Sequence, residues 1–355
     1  MSANGFASAL QNISRLVLAD RSSALFDGDI AQRLDNLVKQ LPASSASSAC
    51  STTAAAQKLA NEMTDALISN DVYNNSAQAY LPSFVQRIPN NDTLALAVLG
   101  IKPTMLSDPA SGFYASVYYD KYTHKYIVAN RGTVISPWHP VVTSADVTTD
   151  VRQALGYSTV QYNVDATNLG SVLAKVGGDN VVLTGHSLGG GLAALEARLT
   201  GDPAVTFDSA GVSSSTLKGA GASDPAKIVN LEINGQFLGQ MQGHSLRSDF
   251  SCALRTEPGT TALLLYAIAQ FSGVNFSQAM KSTTILPQSL GQQVVLPLTH
   301  WSSTSMNLET AVTPSTGTCL ANIMREATVY HKADMVIHAL NYELTQLICP
   351  KGKRS

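Results

Sequence analysis

Charged residues are scarce in this 355-residue chain, and their signs nearly balance. Asp, Glu, Lys and Arg make up 14% of the sequence, and the formal net charge is −2 at pH 7. The chain has neither a basic stripe of the kind that binds nucleic acid nor a long acidic tail. We therefore expect no nucleic-acid partner and a surface built largely from Ser, Thr, Asn and Gln.

The chain also lacks the segments that direct a protein to or through a membrane. Residues 1–6 do not begin a basic region followed by an apolar one, so we expect synthesis in the cytoplasm without a secretory signal peptide. The longest apolar run, residues 262–274, contains Gln270 and falls short of the ~20 residues that a spanning helix needs.

Cysteines are few and widely separated along the chain. They form no C-x-x-C pair and no cluster with histidine, so we expect no metal site. The spacing favours buried free thiols, with disulfides as the alternative if the protein works outside the cytoplasm. The cysteines are Cys50, Cys252, Cys319 and Cys349.

Apolar residues, in contrast, make up 45% of the sequence, enough for the core of one large domain with an insertion. Residues 1–60 are expected to form a helical N-terminal extension, and residues 61–355 an α/β domain. Strands alternate with helices from about residue 113 to residue 233, which predicts a mostly parallel sheet covered on both faces. Residues 237–325 interrupt this rhythm and are too long for an ordinary connection, so we interpret them as a cap or lid insertion.

The apolar pattern predicts individual elements as follows. The strands are 113–119, 126–130, 159–162, 181–184, 204–207 and 227–233, with the first two joined as a hairpin. The helices between and after them are 147–155, 166–176, 190–199 and a C-terminal one that ends near residue 347.

The most informative segment is residues 185–190, Gly-His-Ser-Leu-Gly-Gly, which lies between a predicted strand and a predicted helix. A side chain at Gly185 or Gly189 would clash in such a tight turn. The turn raises the Ser187 hydroxyl above the sheet edge, where the N-terminus of the following helix tolerates negative charge. The pattern predicts a nucleophilic serine rather than an ordinary Gly-rich turn.

A serine nucleophile needs a base, a group that orients the base, and donors for the oxyanion. One donor is expected from the N–H of the residue after the serine, here Leu188. The other is expected from the loop after an earlier strand, where Arg131-Gly132-Thr133 follows residues 126–130. We predict that Thr133 and Leu188 form the oxyanion hole, and a simple strand-exit turn is the alternative for Thr133.

Three segments together resemble the class 3 lipase group of α/β hydrolases: residues 127–133, 185–190 and 206–211. The run Asp-Val-Tyr-Asn at 71–74 is similar to one in bacterial members, and the resemblance covers about residues 65–240. It implies an α/β-hydrolase fold, with a mostly parallel sheet flanked by helices. It also implies a serine ester hydrolase of the lipase or phospholipase A type that needs no metal or organic cofactor.

Several relatives of this kind are phospholipase effectors that type VI secretion exports without a signal peptide. The resemblance therefore implies an antibacterial toxin that leaves the producer by a non-classical route and reaches the periplasm of a target cell. The implied partners are a lipid or ester substrate, a membrane surface that is contacted transiently, and an immunity protein that protects the producer.

The base of the predicted triad is His331, which follows the serine in the order that hydrolases require. It immediately precedes the C-terminal helix, and the family's histidine before a helix of the Val-Ile-x-x-Leu type resembles this segment. His300, beside Trp301, is the alternative.

The position of the catalytic acid is where this sequence departs from the family pattern. Relatives usually place it just after the strand at 229–233, where this chain has Gln236, an amide that cannot carry the negative charge. Asp208 follows the preceding strand, 21 positions after Ser187, and we predict that it is the acid. An N-cap or turn aspartate is the other interpretation of Asp208. The remaining candidates for the acid are Asp224 and Asp249.

The main interpretation is a serine ester hydrolase that acts on acyl lipids. The lipid part depends on the resemblance and on residues 262–274, which would form a lid that opens at an interface or else a buried cap helix. The alternatives are an esterase on small soluble esters and, because the acid position is altered, a non-catalytic binding protein with the hydrolase fold.

Overall fold

A central sheet with helices on both of its faces is the frame of the protein. The computed structural model describes residues 23–39, 53–74, 81–133, 159–176, 180–221, 227–244, 251–256, 286–296, 319 and 333–347.

The sheet has eight strands, of which seven follow one another in the order β1-β3-β4-β5-β6-β7-β8 while β2 pairs with β3 alone. The strands from β4 to β8 are parallel, and β3 is antiparallel to both β1 and β4. The strand bounds are β1 Val85–Ile88, β2 Ser107–Asp108, β3 Phe113–Asp120, β4 Lys125–Asn130, β5 Val181–His186, β6 Ala204–Phe207, β7 Ile228–Ile233 and β8 Gln292–Leu296.

Helices precede, connect and follow the strands. A 3₁₀-helix, Pro103–Met105, and a π-helix, Gln161–Ala166, add to the α-helices. The α-helices are α1 Ser23–Val38, α2 Thr53–Asp71, α3 Thr93–Ala97, α4 Thr167–Leu173, α5 Leu188–Thr200, α6 Ser214–Gly219, α7 Phe237–Met241, α8 Ser251–Thr256 and α9 Ala333–Leu347. Among the described residues no helix is long and apolar enough to cross a membrane.

Apolar clusters on both faces fix the sheet between its helices, which is what a parallel sheet requires. On one face, α5 packs on the middle strands through residues such as Leu192 and Leu195, and α4 packs on α5 through residues such as Leu169. On the other face, α2 and α9 pack on the strands through residues such as Met63 and Leu340, and α1 packs on these two helices through residues such as Leu34. The strand residues in this cluster include Phe207, Leu231, Ile233 and Leu296.

The strands predicted at 113–119, 126–130, 181–184, 204–207 and 227–233 are confirmed, as are the hairpin and the parallel sheet. The strand predicted at 159–162 is wrong, because Gln161–Ala166 is a π-helix that leads into α4. Strand β8 was not predicted, because Gln292–Leu296 is a largely exposed edge strand without a continuous apolar run. The helix predicted at 147–155 and the apolar run 262–274 lie outside the described residues.

A disulfide joins Cys252 of α8 to Cys319, across a sequence separation of 67 residues and with the two Cα atoms 5.9 Å apart. The expectation of free thiols is therefore wrong for this pair. Spacing along the chain could not reveal it, because the pairing depends on how the intervening segment returns. Cys50 and Cys349 lie outside the described residues. The predicted division into an extension and an α/β domain stays a prediction.

Candidate active site

Ser187 lies on the turn between β5 and α5, in a backbone conformation that is rare for any residue with a side chain. Its φ is 59° and its ψ is −126°, which costs about 1–3 kcal/mol. Hydrogen bonds hold the turn: the Ser187 N–H donates to the Phe207 carbonyl at 3.0 Å, and the Ser187 carbonyl accepts from the Ala210 N–H at 2.9 Å. Strand β6 and the loop that follows it thus fix the strained serine through both of its peptide groups.

The two glycines predicted to be required by the turn have no room for a side chain. A Cβ on Gly185 would lie 2.9 Å from the Asn130 carbonyl oxygen and closer still to the backbone of Gly189. A Cβ on Gly189 would lie 2.8 Å from the Arg131 carbonyl carbon and would also meet the Asn130 oxygen. The start of α5 and the end of β4 are therefore in direct backbone contact.

The electrostatic setting of Ser187 is the N-terminus of α5, which begins at Leu188. The N–H groups of a first helical turn have no acceptor within the helix, and the helix dipole is positive there. Leu188 itself is buried, and Ser187 is 8% exposed. A developing negative charge beside Ser187 would therefore be stabilised by fixed backbone donors rather than by mobile water.

The predicted oxyanion loop leaves the sheet directly beside this turn. Asn130, the last residue of β4, pairs in register with Gly185 of β5. The Arg131 side chain is directed away, because it donates to the Gly112 carbonyl at 3.1 Å and stacks on the Tyr114 ring at 4.8 Å. Gly132 and Thr133 follow, and a Cβ on Gly132 would meet both the Tyr73 hydroxyl and the His186 carbonyl oxygen.

Asp208 directly follows β6 and is fully buried. Its φ is 42°, and the non-glycine residues with positive φ in the described ranges are His124, Ser187 and Asp208. The Asp208 Oδ1 accepts from the Ile233 N–H at 2.8 Å, so its role is not that of a helix N-cap. Oδ2 is buried and has no hydrogen-bond partner among the described residues. Burial raises the pKa of Asp208 well above its ordinary value, against the effect of the Ile233 hydrogen bond.

Gln236, which occupies the position where relatives carry the acid, has a local structural role. It is the N-cap of α7, and its Oε1 accepts from the Leu238 N–H at 2.8 Å. Burial raises the pKa of Glu232, and the Gln236 side chain opposes this shift. Gln236 thus shapes the start of α7 at the end of β7.

The predicted base, His331, lies outside the described residues, as do His300, Asp224 and Asp249. His331 comes two residues before α9, whose Val336 and Ile337 pack in the same cluster as Phe207, the residue before Asp208. His300 comes four residues after the end of β8. Strand β8 ends at the same edge of the sheet as β7, beside which Asp208 lies.

Two residues behind the turn were not predicted to matter. Tyr73 lies with its hydroxyl 3.3 Å from His186 Nδ1 and also faces Gly132, so it connects the serine turn with the loop after β4. The Asp-Val-Tyr-Asn run was the available signal, and Asp71 within it forms a buried ion pair with Arg87 at 3.0 Å. The second is Glu196 of α5, which is fully buried and accepts from Asn130 Nδ2 at 2.7 Å.

A parallel sheet with a strained serine between a strand and a glycine-rich helix start defines an α/β hydrolase. The model of a phospholipase-like family, the Tle-like phospholipase domain, matches residues 64–292, and the chain belongs to this family. The match includes Ser187 and Asp208 and ends before both candidate histidines.

One curated relative is an extracellular phospholipase A1 of Serratia liquefaciens, which is 39% identical over 170 residues. The aligned part is 48% of this chain and 48% of the relative, so the chain spans about half the length of the protein it matches.

Proposed function

We propose that the protein hydrolyses acyl esters of phospholipids, as a serine hydrolase with activity of the phospholipase A type. The observation that carries the proposal is the conformation of Ser187, a strained and nearly buried serine at the start of α5. Membership of a phospholipase family and the similarity to an extracellular phospholipase A1 support the lipid substrate.

In the proposed reaction, the Ser187 Oγ attacks the ester carbonyl carbon while His331 accepts the serine proton. The carbonyl oxygen becomes an oxyanion, to which the N–H groups of Leu188 and Thr133 donate. The tetrahedral intermediate then collapses, and His331 returns the proton to the departing alcohol. Water, activated by the same histidine, releases the fatty acid and restores the serine.

Asp208 is proposed to hold the histidine in the reactive tautomer. Support comes from its buried carboxylate: Oδ1 is fixed by β7, whereas Oδ2 has no hydrogen-bond partner among the described residues. A histidine N–H that donates to Oδ2 would satisfy this atom, and the imidazolium formed during the reaction would favour the charged carboxylate. The mechanism uses neither a metal nor an organic cofactor.

We further propose that the protein acts outside the cytoplasm, as an exported antibacterial effector neutralised in its producer by an immunity protein. The family supports this role, and so does the Cys252–Cys319 disulfide, since disulfides persist in oxidising compartments. Expression directed to the periplasm should be toxic, and expression in the cytoplasm should be less so. Harmless periplasmic expression of active enzyme would contradict the effector role.

The activity is tested with phospholipid vesicles and with p-nitrophenyl butyrate, by following released fatty acid and released nitrophenol. Ser187→Ala should abolish both reactions, and Ser171→Ala, on the exposed side of α4, is the matched control. Preferential turnover of vesicles supports a transient membrane contact. Turnover of the soluble ester alone would indicate a small-ester esterase, and no turnover of any ester would indicate a binding protein.

A further inference from the structure

A buried side-chain pair lies directly behind the proposed oxyanion hole. Asn130 ends β4, and the loop with Thr133 begins at the next residue. Glu196 lies on α5, nine residues after Ser187. Both side chains are fully buried, and Asn130 Nδ2 donates to Glu196 Oε2 at 2.7 Å. The pair therefore links the two elements that would supply the oxyanion donors.

This single hydrogen bond leaves one side-chain oxygen unsatisfied on each partner. Asn130 Oδ1 and Glu196 Oε1 are buried and have no hydrogen-bond partner among the described residues. An amide has a donor and an acceptor, and a protonated carboxyl group also has both. A hydrogen on Oε1 that donates to Oδ1 would close a ring of two hydrogen bonds and satisfy both atoms. An ionised carboxylate would instead leave Oδ1 without a donor and place an uncompensated charge in the core.

The surroundings of Glu196 favour the neutral acid. The elements packed against α5 are β4, β5, β6, α4 and the π-helix. Burial raises the pKa of Glu196 to about 8 against the effect of the Asn130 hydrogen bond, and no charged group in the part of the chain that the structure describes contributes. The titratable or charged side chains on α5 itself and on the packed elements are Lys125, Tyr126, Tyr162, Asp165, His186 and Arg198.

We infer that Glu196 is a positioning residue, which pairs as a neutral carboxylic acid with the Asn130 amide and so holds the end of β4 against the start of α5. The distance between the Thr133 and Leu188 donors depends on this contact, because the backbone of Asn130 lies against Gly185 and Gly189. A shift of β4 by a fraction of an ångström would move one oxyanion donor relative to the other. This role rests on the proposed hydrolase function.

Three variants, built from two substitutions that leave side-chain size unchanged, test the pair. Glu196→Gln keeps a donor and an acceptor opposite Asn130, so it should keep most of the activity. Asn130→Asp places two acids opposite each other and should lower kcat by about tenfold to a hundredfold, with a much smaller change in KM. The double variant Asn130→Asp with Glu196→Gln restores an acid–amide pair in which the two positions have exchanged roles. It should recover the kcat, and any yield of folded protein, that Asn130→Asp loses.

The readouts are kcat and KM on p-nitrophenyl butyrate and the affinity for butylboronic acid, whose adduct with a serine carries the oxyanion charge. Affinity for the boronic acid should fall and recover in parallel with kcat. A double variant whose kcat is no higher than that of Asn130→Asp would overturn the inference. So would a loss of kcat in Glu196→Gln equal to that in Asn130→Asp, and so would an unchanged kcat in Asn130→Asp.

Infrared difference spectra of wild type against Glu196→Gln at neutral pH provide a readout independent of activity. The spectrum should contain the carbonyl stretch of one protonated carboxyl group, and its absence would refute the neutral acid. Ser187→Ala, assayed in parallel, distinguishes failure of the proposed hydrolase function from failure of the proposed Glu196–Asn130 pair. A Ser187→Ala variant that retains its rate of ester hydrolysis refutes the proposed function. The Glu196–Asn130 pair is tested separately, by the infrared spectra and by the double variant Asn130→Asp with Glu196→Gln.

Discussion

Glu196→Gln should stabilise the protein, and increasingly so as the pH rises. The ordinary pKa of the glutamate is 4.5, and burial raises it to about 8 in the folded protein. Above pH 4.5 the unfolded chain releases this proton while the folded protein retains it, so wild-type stability falls with rising pH. Each pH unit in this window costs about 1.4 kcal/mol, which gives about 3 kcal/mol at pH 7 and about 4 kcal/mol at pH 8, where half of the folded protein has lost the proton. Glutamine does not titrate and avoids this cost.

Urea unfolding of wild type and Glu196→Gln between about pH 5 and pH 8 measures the difference. The variant should gain little at the lower end of this range and most at the upper end. Ser171→Ala, which removes an exposed hydroxyl on α4, should follow wild type at every pH. A stability difference that is constant across this range, or that shrinks as the pH rises, would refute the neutral buried acid.

The remaining predictions concern the triad partners and the disulfide. Asp208→Asn should lower kcat by about 10⁴-fold on phospholipid vesicles, because an amide neither fixes the reactive histidine tautomer nor stabilises the imidazolium. His331→Ala should cost at least as much, whereas His300→Ala should retain most of the activity. Replacing Cys252 and Cys319 by Ser should lower the free energy of unfolding by about 4 kcal/mol, as expected for the 67-residue separation that the disulfide closes.

Each of these predictions has a result that contradicts it. Near wild-type activity of Asp208→Asn would place the carboxylate elsewhere, with Asp224 and Asp249 to be examined next. Loss of activity in His300→Ala but not in His331→Ala would make His300 the base. Gln236→Ala is the matched control for the acid, because it removes the N-cap of α7 without touching Asp208. Equal urea midpoints with and without the Cys252–Cys319 pair would show that the disulfide contributes no stability.

The part of the fold that the sequence predicts well is the parallel core of the sheet. Strands β5, β6 and β7 are largely buried on both faces, so each is a short, mostly apolar segment that stands out between polar turns. Strand β8 pairs only with β7 in the described sheet, and its Gln292-Gln293 start resembles a loop. An edge strand is specified by its neighbour rather than by its own composition.

The π-helix at Gln161–Ala166 is a second place where the local sequence does not predict the structure. Residues 159–162, Thr-Val-Gln-Tyr, have high intrinsic strand propensity. In the folded protein Tyr162 is buried, and its hydroxyl lies where a Cβ on Gly191 of α5 would be. This contact with a helix far along the chain overrides the local preference.

The nucleophile turn could be predicted because its chemistry is local: a strand, two glycines around a serine and a helix all lie within one stretch of sequence. The partners of the site are not local. The position of Asp208 at a strand end makes it a candidate for the acid. The sequence does not reveal the hydrogen bond that its Oδ1 accepts from the Ile233 N–H of β7. Glu196 resembles a surface residue of an apolar helix, and only the fold reveals that it is buried against Asn130.

The central claim is that Ser187 is the nucleophile, and covalent trapping tests it most directly. The protein is treated with a fluorophosphonate, the modified residue is located by peptide mass spectrometry, and phospholipid hydrolysis is followed in the same samples. We predict a single adduct on Ser187 whose extent parallels the loss of activity, and no adduct in Ser187→Ala. A stoichiometric adduct on another residue, or full hydrolysis after complete modification of Ser187, would contradict the account.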